Sequence, residues 1–345
     1  MVADYWHLET CICSIQLKDY DFYTAQILKA ELHCHNIYSN YKNKSSRIPF
    51  DCGVTIKEQL EGALEKKIDV LFVTNHNTLD GYHQILEYQQ NHGKYQSIKV
   101  YPAEEVTIDN KGHIIAYGIT KEIRPGLTLE ETLDEINTQN GLSCAAHPFA
   151  VSNGIREKAV MCDLIESFNS NNIDIFSNII SSKFSEKNKM NKVAGSDSHV
   201  ASTIGRCINT VESENNIDSI LCSIHKGKFR INKADYATEN ELYEQAHYVL
   251  SSSNKPLTAY ILENYNPVIY YAARLALNSF SSDPCNRFWR TLAAFAFYLT
   301  KRASKKINMK GCNPLMFQQR SWRRLISVAL IPWCFYVYIN YWSCY

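Results

Sequence analysis

The chain has 345 residues, 45% of them hydrophobic and 21% charged, a balance that excludes a disordered polymer and suits one large core or two modest ones. The formal net charge of +1 hides an asymmetry: residues 285–345 hold ten Lys or Arg and no acid, which leaves 26 basic against 35 acidic residues, about −9, in 1–284. The twelve cysteines are scattered without a Cys-x-x-Cys pair, which excludes a small disulfide scaffold, and with Asp4 and Glu9 interrupting the N-terminus the sequence predicts a reduced, cytoplasmic protein.

The first apolar run, Ile27–His33, predicts a strand that delivers Glu31-Leu32-His33-Cys34-His35. Alternate strand side chains share a face, so His33 and His35 point one way and Cys34 packs on the other. Two polar residues at a strand end are the alternative, and His-x-His alone does not decide between them. Asn36–Gly53 reads as a loop, and Thr55–Lys67 as a helix with Ile56, Leu60 and Leu64 at fourfold spacing. Asp69–Thr74 is the next strand and delivers Asn75-His76-Asn77; Ile98–Tyr101 delivers Pro102-Ala103-Glu104-Glu105; His113 opens the run to Gly118. Thr128–Asn140 predicts a helix with a capping box at its start and Gly141 at its end. Leu142–Ala146 delivers His147-Pro148, and Leu164–Phe168 carries Glu166 toward Asn169, residues that line a pocket or hold structural hydrogen bonds. Ile173–Ile180 reads as a further strand, and Val193–Ala194 delivers Gly195-Ser196-Asp197-Ser198-His199.

Strands alternating with helices predict a parallel sheet or barrel, in which chemistry gathers at the C-terminal ends of the strands. His33, His35, His76, His113, His147, Asp197 and His199, with Glu104 or Glu105, all lie beside strand ends although they are spread over 167 residues. Each alone reads as a satisfied polar residue; together they predict one metal cluster. Imidazole mixed with carboxylate suits Zn²⁺, Mn²⁺ or Fe²⁺.

The ordered stretches Glu31–His35, Thr74–Thr78, Pro102–Val106, Gly112–Gly118, Ala145–Phe149 and Gly195–Val200 resemble the PHP (polymerase and histidinol phosphatase) family across residues 27–232. The resemblance implies an α/β fold, a distorted (β/α)7 barrel with a C-terminal helical extension, and a stand-alone metal-dependent phosphoesterase with two or three divalent metals. It implies that His33, His35, Glu105 and Asp197 surround one metal, that Glu105 bridges to a second held by His113 and His147, and that His76 and His199 serve a third. Glu105 is taken over Glu104 because the family's carboxylate lies two residues after its glycine position, Ala103 here. Two positions depart from the family pattern. Asn40 stands where an Asp commonly follows the first histidine by seven residues, and Asn75 where an Asp commonly precedes the histidine of the second motif. Asn lacks the carboxylate charge, so a weakened third site is expected. A metal-activated water would attack phosphorus, and His199 or His76, where not metal-bound, would protonate the leaving oxygen. Arg206 reads equally as a phosphate clamp or as one half of a surface ion pair. A nuclease using the same metals is the alternative enzyme, and a metal-binding module without turnover the alternative class.

Past the barrel, Glu239–Leu250, Pro267–Phe280 and Asn286–Thr300 carry helical apolar stripes. The sequence thus divides into an N-terminal extension (1–26), the metal-dependent domain (27–232), a helical region (233–320) and a basic-apolar tail (321–345). In that tail Arg320, Arg323 and Arg324 precede eighteen uncharged residues, Leu325–Trp342, which predict contact with an anionic membrane or a buried terminal segment. Nucleic acid is a further partner expected of the basic C-terminal part, though without aromatics at stacking spacing.

Overall fold

The computed structural model describes residues 25–40, 48–109, 111–151 and 153–309. The N-terminal extension up to residue 24 and the basic-apolar tail lie outside the described residues.

Nine strands form one sheet in the order β7-β6-β5-β4-β3-β2-β1-β8-β9: β1 Gln26–Cys34, β2 Val70–Val73, β3 Lys99–Thr107, β4 His113–Tyr117, β5 Leu142–Ala145, β6 Leu164–Asn169, β7 Asn191–Gly195, β8 Cys207–Ser213 and β9 Phe229–Ala234. Two parallel sets, β1-β2-β3 and β5-β6-β7, flank β4, which runs antiparallel to both neighbours. That reversal is the distortion of the barrel. The sheet nearly closes on itself, because β7 returns beside β1: Asp197 N donates to His33 O at 2.8 Å. The Asn209 carboxamide on β8 completes the seam by taking the Ala194 N–H at 3.1 Å and donating to Ala194 O at 2.8 Å, so a side chain replaces a missing strand partner.

Helix α1 (Ile56–Glu65) starts at a Thr55–Glu58 capping box and α3 (Leu129–Thr138) at a Thr128–Glu131 box, as their sequences predict. On α1 the buried side chains are Gln59, Leu60 and Ala63, while Leu64 is 40% exposed, so the stripe lies one position from the expected one. Helices α2 (Asp80–Asn91) and α5 (Ile217–His225) and strands β8 and β9 were not anticipated. The run Ile173–Ile180 is a correction. It belongs to helix α4 (Ile175–Lys187), because Asp174 caps the first turn by accepting from Ser177 N, and this cap outweighs the β-branched composition.

The barrel interior is filled by Leu28, Leu32, Phe72, Tyr117, Leu164 and their buried neighbours. Tyr117 meets Phe72 edge-on at 5.2 Å and donates its hydroxyl to Leu32 O at 3.0 Å, which braces β1 one residue before His33. Helices α6 (Glu239–Ser252), α7 (Asn254–Asn264), α8 (Pro267–Ser282) and α9 (Arg287–Met309) follow the sheet. The outer faces of α8 and α9 are apolar, with Val268, Leu275 and Phe288 at 78%, 71% and 66% exposure. Among the described residues no helix is long and apolar enough to cross a membrane.

Candidate metal centre

Parallel strands that end together bring their last residues to one mouth. His33 on β1 and His35 just past its end lie on one side, with ring nitrogens 3.2 Å apart, and Cys34 points away to Phe72 O. Glu105 sits at the centre. Its Oε1 is 2.8 Å from His113 Nδ1 and 3.0 Å from His147 Nε2. Its Oε2 is 3.2 Å from His35 Nε2, 3.2 Å from His76 Nδ1 and 3.5 Å from His33 Nε2. Asp197 Oδ1 closes the other side, 3.3 to 3.4 Å from His33, His35 and His199. Glu104, one residue earlier, faces the opposite side and accepts from Ile123 N at 2.9 Å.

A carboxylate oxygen that is buried and makes no hydrogen bond is costly. Among the described residues Glu105 Oε2 is such an atom, although three imidazole nitrogens converge on it. Nitrogen and oxygen donors with lone pairs aimed at a common point, and no proton arrangement that satisfies them all, form a donor set that a divalent cation fits. The donor atoms group by proximity as His33, His35, Glu105 and Asp197; as His76, Glu105 and His113; and as His35, Asp51, His76 and His199.

The supporting structure is specific. Glu166 takes His33 Nδ1 at 2.7 Å, the His147 N–H at 2.7 Å and the Asn169 carboxamide at 2.9 Å. With Nδ1–H given to Glu166, His33 offers the Nε2 lone pair to the cluster. Asn169 also donates to Asp197 Oδ2 at 3.1 Å. His147 (φ 28°) and Asp197 (φ 49°) hold left-handed backbone, which re-aims both side chains inward at a conformational cost. Gly195 is required by close approach, since a Cβ there would stand 1.6 Å from Glu166 Oε1. Behind the site, buried Glu31 accepts from the His33, Ser196 and Gly205 N–H groups and the Ser196 hydroxyl, tying β1 to β7; burial nevertheless pushes its carboxyl up to about 7.

The cluster is electrostatically polarised. Burial works against charge on Glu105 and Asp197, yet the surrounding imidazoles hold both well below the usual carboxylate range. Burial likewise works against charge on His199, but the Asp51 and Asp197 carboxylates raise it to about 10. Protons therefore occupy this site when no metal does, and metal binding must displace them.

Asp51 is the residue that the sequence reading missed. Its Oδ2 lies 2.8 Å from His199 Nε2 and 3.3 Å from His76 Nε2. It comes from the loop before α1 rather than from a strand end, so the strand-end pattern gives no sign of it. Asn40 is bonded to the segment that carries Asp51. Its Oδ1 accepts from Asp51 N at 2.7 Å and Cys52 N at 3.1 Å, and its Nδ2 donates to Cys52 O and to the Tyr248 hydroxyl of α6. Asn75 is likewise structural, bonded to Asn36 N and the Ser39 hydroxyl, and Ser39 in turn contacts His35 Nδ1 at 3.1 Å. Of the two readings of Arg206, the ion pair is the one seen in this arrangement, with Nη2 bonded to Glu241 of α6.

A family model described as PHP-associated matches residues 177–229. The uncharacterized protein MJ1587 of Methanocaldococcus jannaschii is 30% identical over 161 residues, 45% of this chain and 91% of that relative. Among solved structures, PsfC from Pseudomonas syringae PB-5123 superposes with a TM-score of 0.46 at 16% identity, covering 66% of this chain and 99% of that one. The lesion-specific endonuclease PfuEndoQ from Pyrococcus furiosus gives 0.43 at 19% identity, covering 60% and 58%. With the six ordered stretches converging on one mouth and a relative matched over nearly its whole length, the chain belongs to the PHP family.

Proposed function

We propose that this chain is a metal-dependent phosphoric ester hydrolase in which His33, His35, His76, Glu105, His113, His147, Asp197 and His199, joined by Asp51, hold two or three divalent cations. The observation that carries the reading is Glu105 Oε2, buried, without a hydrogen bond and faced by three imidazoles. Bound there, Mn²⁺, Zn²⁺ or Fe²⁺ would supply Lewis acidity toward phosphoryl oxygens and an activated water. The chain's own part is to orient the donors. Glu166 fixes the His33 tautomer, and Asn169 steadies Asp197. When Asp51 and His76 hold no metal, His199 is the group in place to hand a proton to a leaving oxygen, anchored through Nδ1 by Asp197 O at 2.8 Å.

The reading keeps a metal-dependent domain over 27–232 and a helical region over 233–320, with α6 attached through Glu241 and Tyr248. It also keeps an anionic membrane as a partner of the basic-apolar tail 321–345, which lies outside the described residues. Full-length protein that stays in the supernatant with anionic vesicles removes that partner.

The test is metal analysis of purified protein, followed by a Mn²⁺-supplemented panel of p-nitrophenyl phosphate, small phosphate esters and short oligonucleotides. His33→Ala with His35→Ala should lose metal and hydrolysis together. Full metal content in the double variant, or no hydrolysis by the metal-loaded wild type anywhere in the panel, overturns the proposal. Hydrolysis of oligonucleotides alone replaces it with the nuclease reading.

A further inference from the structure

A cleft of about 160 Å³ opens beside His147 and Asp197 and is walled by Asn153, Asn171, Asn172 and Asp174. Its position is that of whatever lies next to a phosphoryl group held at the cluster. Its chemistry is unusual for a site that handles phosphate, because among the described residues no lysine or arginine lines it. The nearby guanidinium of Arg156 is turned onto the Phe149 and Val151 carbonyls at 2.7 and 3.4 Å, and that of Arg206 onto Glu241.

The polar groups that remain are carboxamides and the His147 imidazole, whose Nδ1 makes no hydrogen bond among the described residues. The Asn171 side chain makes no hydrogen bond among the described residues, while its backbone N–H is fixed by Asn169 Oδ1 at 2.9 Å. Asn172 donates to Asn178 Oδ1 at 2.7 Å and keeps its own carbonyl oxygen for another donor. A carboxamide both gives and takes hydrogen bonds without charge, which matches a hydroxyl. The two carboxylates in the wall do not change this. Asp174 is spent on the Ser177 N–H and hydroxyl as the cap of α4, and Asp197 is turned to the imidazoles. The Oδ1 atoms of both are thus engaged within the chain rather than offered to the cleft.

We infer that this cleft receives an uncharged, hydroxyl-bearing leaving group, so that the favoured substrates are polyol or sugar monophosphates rather than bisphosphates. The inference rests on the phosphoesterase reading above and deepens it.

The experiment compares kcat/KM of the Mn²⁺-loaded full chain on ribose 5-phosphate and glycerol 1-phosphate with that on fructose 1,6-bisphosphate, with p-nitrophenyl phosphate as reference. The monophosphates should be favoured by at least about 10-fold. Asn171→Leu should raise KM for ribose 5-phosphate by about 5-fold, the loss expected for one neutral hydrogen bond. Asn171→Arg should shift the preference toward fructose 1,6-bisphosphate. Hydrolysis of p-nitrophenyl phosphate with equal or better use of the bisphosphate by the wild type overturns the inference and leaves the phosphoesterase reading standing. Absence of hydrolysis across the whole panel, oligonucleotides included, overturns the phosphoesterase reading itself. Should the Asn171 variants fail to fold, the wild-type preference alone decides.

Discussion

Replacing Glu166 with Gln removes one charge from behind the cluster and leaves its shape nearly unchanged. Glu166 is 1% exposed and satisfies three groups at once: His33 Nδ1 at 2.7 Å, His147 N at 2.7 Å and Asn169 Nδ2 at 2.9 Å. Gln has one acceptor oxygen, so its NH₂ must face either the His33 Nδ1–H or the His147 N–H, donor against donor. His33 then loses both its anionic partner and the tautomer that aims Nε2 at the cluster. Partners behind metal-binding histidines are typically worth about 10- to 100-fold in affinity, which is about 1.4–2.7 kcal/mol. Calorimetric titration of Mn²⁺ or Zn²⁺ into metal-stripped wild type and Glu166→Gln measures this directly. Thermal unfolding of the metal-free proteins separates it from packing, since one unsatisfied buried donor costs about 1–3 kcal/mol of fold stability whether or not metal is present. A metal affinity within twofold of wild type would falsify the claim that His33 is a ligand oriented by Glu166. Gly195→Ala should reproduce the defect by a steric route, because the added Cβ would stand 1.6 Å from Glu166 Oε1 and 2.8 Å from His33 Cβ.

Three further outcomes follow. Asp51→Asn should weaken one metal of the set while the others remain, and Asn40→Asp should weaken the same one by loosening the loop; elemental analysis with metal titration reads both, and tighter binding in Asn40→Asp would return that residue to the site. Glu105→Gln should abolish most activity while Glu104→Gln loses little beyond stability, and the reverse order in kcat would mean that the β3 register is shifted. Asp174 is raised by burial from 3.8 to about 7. Its folded pKa lies above its unfolded one, so its contribution to stability is full below about pH 4 and is lost as pH rises through 7, on the order of 4 kcal/mol in all. Denaturant unfolding of the metal-free protein should therefore show a flatter pH dependence in Asp174→Asn over that window, and identical slopes would place a charged, solvated carboxylate there instead.

The legible part of this site was the part that periodicity controls. His33, His35, His76, Glu105, His113, His147, Asp197 and His199 sit at or beside strand ends, and a strand has only two faces, so apolar runs with alternation place them at one mouth. The choice of Glu105 over Glu104 is the same rule applied to a single step. What periodicity does not control was not legible. Glu166 lies on β6 like an ordinary buried acid, and only the return of β7 with Gly195 shows why it stands behind His33. The helix α4 was read as a strand because its isoleucines carry the composition of one, whereas its structure is decided by the single cap at Asp174. Strands β8 and β9 pair antiparallel outside the alternating βα rhythm, which gave no reason to expect them.

Asp51 and Asn40 together explain why an apparent weakness in the sequence need not be one in the fold. Reading Asn40 as a lost carboxylate assumed that a position in a motif keeps its place in space. Here Asn40 spends its oxygen on two consecutive N–H groups, those of Asp51 and Cys52, an arrangement that an aspartate could also accept but whose Nδ2 bonds to Cys52 O and Tyr248 it could not make. The carboxylate is supplied eleven residues later by Asp51 itself. Gly53, two residues on, lets the α6 ring come close, because a Cβ there would press to 2.9 Å from the Tyr248 ring. Helix α6 thus bears on the cluster through Tyr248, and through Glu241 on Arg206. The charge at this corner of the site depends on a loop held by the C-terminal helices, so the region after the barrel contributes to the metal centre although none of its described residues enters it.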